Sequence, residues 1–123
     1  MNGVAPRMRV LVVEDDALIA LDITRQLTNA GFQVVGPAVS VTRALKLIGE
    51  HGCDIAVLDV NLGDRETSEP IAQELRTRAT PFIVLSGYAR DEHAPAFAGA
   101  PILSKPASPS ELIAALLNCT ASV

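Results

Sequence analysis

The sequence predicts an α/β fold with a five-stranded parallel sheet in the order 2-1-3-4-5. Short apolar runs alternate along the chain with longer segments whose apolar residues recur at helical spacing. This alternation favours a parallel sheet that carries helices on both faces. The 123 residues are the length of one domain, and at this size we expect the flavodoxin-like order of strands. We therefore expect five βα units in a single (βα)5 domain.

Five apolar runs are predicted to be the strands. They are short and rich in β-branched residues, which is typical of strands buried on both faces of a sheet. The predicted strands cover residues 9–13, 33–37, 55–58, 82–85 and 102–103. The second strand is expected to end at Pro37, because proline has no N–H to donate to a neighbouring strand.

The segments between these strands are predicted to form the helices. They cover residues 17–30, 41–51, 68–78 and a last helix that begins at Pro109. In the first helix, Leu18, Leu21 and Leu27 lie near one another at helical spacing. Residues 89–98 are expected to form only a short or frayed helix, because Pro95 would interrupt a regular one.

Composition narrows the classes of function. Ten basic and fourteen acidic residues give a net charge of −4, which disfavours binding to polyanionic nucleic acid. Apolar runs such as Val10–Val13 fall far short of the ~20 residues that a membrane helix needs. Cys53 and Cys119 form no metal or redox motif, so we expect reduced thiols in a cytoplasmic protein. Residues 1–8 are expected to be a loose tail, and no separate output domain is expected.

Polar side chains follow four of the five predicted strands. The first strand is followed by three acids, the third by one acid, the fourth by a hydroxyl and the fifth by an ammonium group. These residues are Glu14, Asp15, Asp16, Asp59, Ser86 and Lys105. Ligands of open α/β sheets bind beyond the carboxyl ends of the strands. We therefore expect one polar site at this rim of the sheet.

The residue types at this rim predict phosphoryl transfer onto Asp59. Carboxylates that meet at adjacent strand ends repel one another, and a bound cation is the usual compensation. Clustered carboxylate oxygens suit Mg²⁺. Asp59 follows the central strand and is the predicted nucleophile. Lys105 and Ser86 are predicted to neutralise or hydrogen-bond the transferred phosphoryl oxygens, whereas Asp16 is assigned to the N-terminus of the first helix.

Four short motifs at these strand ends resemble the receiver domain of two-component response regulators, the CheY-like family. They are Leu11–Asp16, Leu58–Asn61, Ser86-Gly87 and Lys105-Pro106, and the resemblance extends over about residues 8–118. The resemblance implies that a histidine kinase or a phosphotransfer protein phosphorylates Asp59, and that the domain catalyses its own phosphorylation and slow dephosphorylation. It also implies that Glu14 and Asp15 form an acid pair. Asp15, Asp59 and the backbone carbonyl of Asn61 would then bind Mg²⁺.

Two departures from the family pattern and one partial match to a subgroup concern signalling output. The loop at residues 61–67 lacks the usual Met-Pro and Asp-Gly pairs, and Ile102 stands where the family often has Tyr or Phe. Residues 81–88 partly match the signature of a subgroup called FAT GUY, which includes stand-alone receivers. We hypothesise that residues 87–101 are the moving segment, and that Tyr88 slows dephosphorylation by crowding the attacking water.

Other functions fit the sequence less well. A degenerate receiver could act as a constitutive protein-binding module, but the residues expected for phosphoryl transfer are all present. A nucleotide binder would need a glycine-rich loop after the first strand, where three acids stand instead. A hydrolase of the haloacid dehalogenase type would need Asp at position 14, which is Glu. The expected function is therefore a phosphorylation switch, or a phosphate shuttle or sink.

Overall fold

A computed structural model of the chain describes residues 8–63, 66–87 and 94–121. Within these ranges a five-stranded parallel sheet has the order β2-β1-β3-β4-β5, so the predicted fold class and strand order are confirmed. The strands are β1 (Arg9–Val13), β2 (Gln33–Ala38), β3 (Ile55–Asp59), β4 (Phe82–Ser86) and β5 (Ile102–Ser104).

Four α-helices pack on the two faces of this sheet. They are α1 (Ala17–Asn29), α2 (Val41–His51), α3 (Glu69–Thr77) and α4 (Pro109–Ala121). In the described part of the segment where a short or frayed helix is expected, a single 3-10 turn covers Pro95–Phe97. Residues 88–93 lie outside the described residues, so the hypotheses on Tyr88 and on movement of residues 87–101 stay predictions.

The sheet separates two apolar layers. Side chains alternate between the faces of a strand, so Val10 and Val12 pack in the layer with α1 and α4, whereas Leu11 and Val13 pack in the layer with α2 and α3. Every residue of β3 and β4 is buried. The central strands therefore supply both halves of the core, and their carboxyl ends occupy fixed positions at the rim.

The structure decides which of the apolar residues of α1 are buried. The helix buries Ala20, Ile23 and Leu27, whereas Leu18 and Leu21 are 79% and 46% exposed. The helix carries more apolar residues than one face can bury, so their spacing is compatible with two different buried faces. Contact with the sheet selects the face through Ala20, and Leu18 and Leu21 remain on the surface.

The predicted end of β2 is wrong, because this strand continues through Pro37 to Ala38. β2 lies at an edge of the sheet and pairs only with β1. The pairing shifts by one residue between Leu11, which faces Val35, and Val13, which faces Ala38. Proline is tolerated at an edge or a bulge, since no neighbour there requires its missing N–H.

Capping side chains fix the residues at which α1, α2 and α4 begin. The Asp16 carboxylate accepts from the backbone N–H groups of Leu18 and Ile19 at 2.9 and 3.1 Å, and so caps α1. The Ser40 hydroxyl caps α2 and accepts from the Arg43 N–H at 3.2 Å. Ser108 and Glu111 form a reciprocal capping box at the start of α4. Among the described helices, none has the length and apolar character that a bilayer crossing requires.

Replacing Leu27 by Ala should cost about 3 kcal/mol of the free energy of unfolding, because Leu27 is 0% exposed and its loss leaves a cavity. Leu18→Ala on the same helix is the matched control and should cost less than ~0.5 kcal/mol, since this side chain lies in solvent. Urea unfolding of both variants measures the difference. Equal losses would contradict the orientation of α1.

Candidate functional site

The carboxyl ends of four parallel strands bring the predicted site residues to one rim of the sheet. β3 ends at Asp59 and β4 ends at Ser86, while Glu14 directly follows β1 and Lys105 directly follows β5. In the register of the sheet, Asp59 lies beside Leu85 and Ser86 lies beside Ser104. Residues far apart in the chain therefore meet because all strands run in the same direction.

Three carboxylates form a close group at this rim. One oxygen each from Glu14, Asp15 and Asp59 lies within 4.8 Å of the other two. Glu14 and Asp59 are 1% and 5% exposed, whereas Asp15 lies on the solvent side. The group, hereafter the carboxylate group, is thus half enclosed by protein and open towards solvent at Asp15.

Lys105 contacts both buried members of the carboxylate group. Its Nζ lies 3.2 Å from Asp59 Oδ2 and 3.3 Å from Glu14 Oε1. The backbone N–H of Lys105 donates to the carbonyl of Ser86 at 2.9 Å, so the loop after β5 is tied to the end of β4. One ammonium group therefore forms ion pairs with two buried carboxylates.

The pKa values of these groups reflect this shortage of positive charge. Burial raises the pKa of Glu14 to about 7, and the neighbouring Asp59 charge adds to the increase. Burial also raises the pKa of Asp59, although Lys105 opposes the increase. For Lys105, burial lowers the pKa, but Asp59 and Glu14 outweigh it and the net change is upward. The ammonium stays charged, and the carboxylates carry an uncompensated cost of ionisation.

The donor set of the carboxylate group fits a hard divalent cation. All its ligand atoms are carboxylate oxygens, which Mg²⁺ and Ca²⁺ prefer, and Mg²⁺ commonly binds through one or two carboxylates with retained waters. The open side at Asp15 leaves room for such waters. A cation at this position would also offset the repulsion that raises the pKa of Glu14.

Asp16, Ser86 and Asn61 take different places around the carboxylate group. Asp16 points to the start of α1 as its cap, in agreement with its assignment, and its N–H donates to Glu14 Oε2 at 3.1 Å. Ser86 is buried at the end of β4. Asn61 is exposed and pairs with Thr67 across the loop after β3, so a role for its carbonyl in metal binding stays a prediction.

The sequence reasoning missed Gly63 in this loop. A Cβ atom at this position would lie 2.9 Å from Asp15 Oδ2, so the backbone of the loop packs directly against the carboxylate group. The only sequence signal is a glycine four residues after Asp59. A glycine in a polar loop has many explanations, so this signal does not single it out.

Comparison with known proteins agrees with this geometry. A family model described as the response regulator receiver domain matches residues 10–117. The chain belongs to this family. A CheY-like receiver domain protein from Methanospirillum hungatei JF-1 superposes on this receiver with a TM-score of 0.84 at 26% identity, over 95% of this chain and 96% of the other.

Two further relatives have longer chains. The transcriptional regulatory protein PdtaR of Mycobacterium tuberculosis is 33% identical over 123 residues, which cover 94% of this receiver and 57% of PdtaR. A response regulator from Burkholderia pseudomallei, crystallised with a phosphorylated aspartic acid, a calcium ion and citrate, is 28% identical with a TM-score of 0.80. That match covers 94% of this chain and 69% of the other. The chain thus spans little more than half the length of PdtaR.

Replacing Glu14 by Gln should stabilise the metal-free receiver by about 3 kcal/mol at pH 8. In the folded protein the pKa of Glu14 is about 7 instead of 4.5, so the wild type loses stability as pH rises through this window. The glutamine variant lacks this loss, and the free energies of unfolding of the two proteins should become equal below about pH 5. Urea unfolding at several pH values in EDTA measures this.

Glu50→Gln, at an exposed position on α2, is the matched control and should unfold like the wild type at every pH. Added Mg²⁺ should stabilise the wild type more than Glu14→Gln, because the variant has lost one carboxylate of the group. If the free energies of unfolding of the wild type and Glu14→Gln differed by the same amount at pH 5 and pH 8, this would contradict the raised pKa of Glu14.

Proposed function

We propose that this receiver accepts a phosphoryl group on Asp59 from a histidine kinase or a histidine phosphotransfer protein, with Mg²⁺ as cofactor. It then works as a phosphorylation switch, or as a phosphate shuttle or sink. One observation carries the proposal. The carboxylate of Asp59, at the end of the central strand, lies within 4.8 Å of two further carboxylate oxygens and 3.2 Å from the Lys105 ammonium.

In the proposed reaction Asp59 is the nucleophile. A carboxylate oxygen of Asp59 attacks the phosphorus atom of a phosphohistidine, the P–N bond breaks and the imidazole leaves with the electron pair. The product is an aspartyl phosphate. Burial raises the pKa of Asp59, but the Lys105 ammonium 3.2 Å away favours the charged, nucleophilic form of the carboxylate.

Lys105 and Ser86 are proposed to stabilise the transferred group. The Lys105 ammonium already contacts Asp59 Oδ2 and can follow the negative charge as it moves onto the phosphoryl oxygens. Ser86 carries its hydroxyl at the end of the adjacent strand, where it can donate to another phosphoryl oxygen. Glu14, Asp15 and Asp59, with the carbonyl of Asn61, are proposed to hold Mg²⁺. When bound, this cation neutralises phosphoryl oxygens that the carboxylates would otherwise repel.

The relatives support the same chemistry. The Burkholderia response regulator carries a phosphorylated aspartic acid together with a divalent cation, calcium. Its match covers 94% of this chain at 28% identity, so we extend an aspartyl phosphate and a divalent cation to this receiver. Histidine kinases use ATP, which is supplied in the cytoplasm. We therefore propose that this receiver is cytoplasmic.

An exposed apolar surface beside the site supports a protein as phosphodonor. Leu18, Ile19 and Leu21 are 79%, 39% and 46% exposed at the start of α1, and Asp16, which caps this helix, also contacts Glu14. Large apolar side chains gathered on a surface are typical of protein contacts. A donor that covers them would bring its phosphohistidine towards Asp59.

We further propose that this receiver belongs to the FAT GUY subgroup and works without an aromatic switch residue on β5. The support is the partial signature at residues 81–88 and Ile102, which is 39% exposed on β5. The single-receiver organisation expected from the sequence stays a prediction.

Asp59→Ala should abolish Mg²⁺-dependent phosphorylation by acetyl phosphate, because the nucleophile is lost. Intact-mass spectrometry with and without EDTA measures the phosphorylated fraction. Asp22→Ala, an exposed aspartate on α1, is the control and should be labelled like the wild type. A wild type that takes up no phosphate, with its fold intact, would favour a degenerate receiver that acts as a constitutive binding module.

Lys105→Met should lower the rate of phosphorylation by acetyl phosphate about tenfold or more, because a charge at the developing phosphoryl oxygens is lost. The same variant should bind Mg²⁺ at least as tightly as the wild type, since one positive charge has left the carboxylate group. Lys46→Met on the exposed face of α2 is the matched control. Parallel losses of Mg²⁺ affinity and rate would show that Lys105 only supports the fold of the site.

A further inference from the structure

The loop that follows Asp59 folds back on itself beside the carboxylate group. Asn61 pairs with Thr67 in an antiparallel bridge. The Leu62 N–H donates to the Glu66 carbonyl at 3.0 Å, and the Glu66 N–H donates to the Gly63 carbonyl at 2.7 Å. Leu62 is 5% exposed and packs in the core with α2 and α3. The backbone around Gly63 is therefore held on both sides.

Gly63 makes the close contact between this loop and Asp15. Its φ of +75° lies in the left-handed region, and a Cβ there would lie 2.9 Å from Asp15 Oδ2. Real Cβ atoms do not approach a neighbour this closely. The bare backbone of Gly63 thus occupies a place that no other residue could take without displacing something.

Asp15 differs from the other two carboxylates in how it is held. Glu14 accepts from Lys105 and from the Asp16 N–H, and Asp59 accepts from Lys105. In residues 8–63, 66–87 and 94–121, by contrast, no hydrogen bond or ion pair holds the Asp15 side chain. The backbone of Gly63 lies close enough to this exposed carboxylate that an added Cβ would meet it.

We propose that Gly63 is a positioning residue for the cation site. Its lack of a side chain lets the loop pack against Asp15 and keeps the Asp15 carboxylate beside Glu14 and Asp59. This inference rests on the proposed function, because it assigns to Gly63 the geometry of the same Mg²⁺ site.

A side chain at position 63 would move Asp15 rather than the loop. The loop is anchored by its own hydrogen bonds and by buried Leu62, whereas the carboxylate of Asp15 is the free end of a side chain that rotates easily. The added Cβ should therefore displace one ligand of the cation and leave the fold in place. Residues that orient a metal ligand typically change metal affinity 10–100-fold when they are replaced.

The experiment compares Gly63→Ala with Gly52→Ala. Gly52 has a φ of +68°, close to that of Gly63, but a Cβ there would have no neighbour within 4 Å. Both variants place a Cβ at a positive φ, so the urea midpoints of both should fall. Only Gly63→Ala should weaken Mg²⁺ binding, by about tenfold in an isothermal titration.

A double variant isolates the contact with Asp15. In an Asp15→Ala background, Gly63→Ala should have no further effect on Mg²⁺ affinity, because the displaced carboxylate is already gone. If Gly63→Ala proves too unstable to titrate, Gly63→Asn replaces it, since Asn adopts the left-handed region more readily but also carries a Cβ.

The outcomes separate the two proposals. A wild type that binds no Mg²⁺ would overturn the proposed function itself. A wild type that binds Mg²⁺ while Gly63→Ala and Gly52→Ala bind it equally well would overturn the positioning role alone. If Gly63→Ala still weakens Mg²⁺ binding in the Asp15→Ala background, the positioning role is also overturned. The glycine would then affect Mg²⁺ binding through the loop and not through Asp15.

Discussion

Two buried carboxylates share one ammonium group at the rim of the sheet, and a third carboxylate lies beside them. Burial raises the pKa of both Glu14 and Asp59, so the folded chain holds negative charge where solvent cannot screen it. Lys105 reduces this cost without removing it. The fold thus leaves an excess of negative charge at the site, which a divalent cation, as proposed above, would offset.

The sheet is what maintains this imbalance. All residues of β3 and β4 are buried, and their ends are aligned by pairing on both sides. Asp59 therefore cannot withdraw into solvent to relieve repulsion. The loop after β5 is tied to β4 through the Lys105 N–H and the Ser86 carbonyl. Repulsion among the carboxylates is thus opposed by the packing energy of the whole core rather than by local contacts.

The departures from the family pattern lie around the site and not within it. In the loop after β3, Gly63 lies so near Asp15 that an added Cβ would be 2.9 Å from Asp15 Oδ2. On β5 the residue at the position of the family's aromatic is Ile102, and it is partly exposed. Asp59, Lys105 and the acid pair nevertheless lie together at the rim of the sheet.

The sequence by itself determined the strands and the residues that follow them, because continuous β-branched runs and their polar ends are local signals. Their order followed from the alternation of strands with helices in a domain of this size. The sequence therefore predicted Glu14, Asp15, Asp59 and Lys105 as neighbours. Only the tertiary structure decided which stripe of α1 is buried, that β2 passes through Pro37, and that Gly63 touches Asp15. These depend on packing between distant segments. The raised pKa of Glu14 also required it, since burial and the distances to Asp59 and Lys105 exist only in the folded chain.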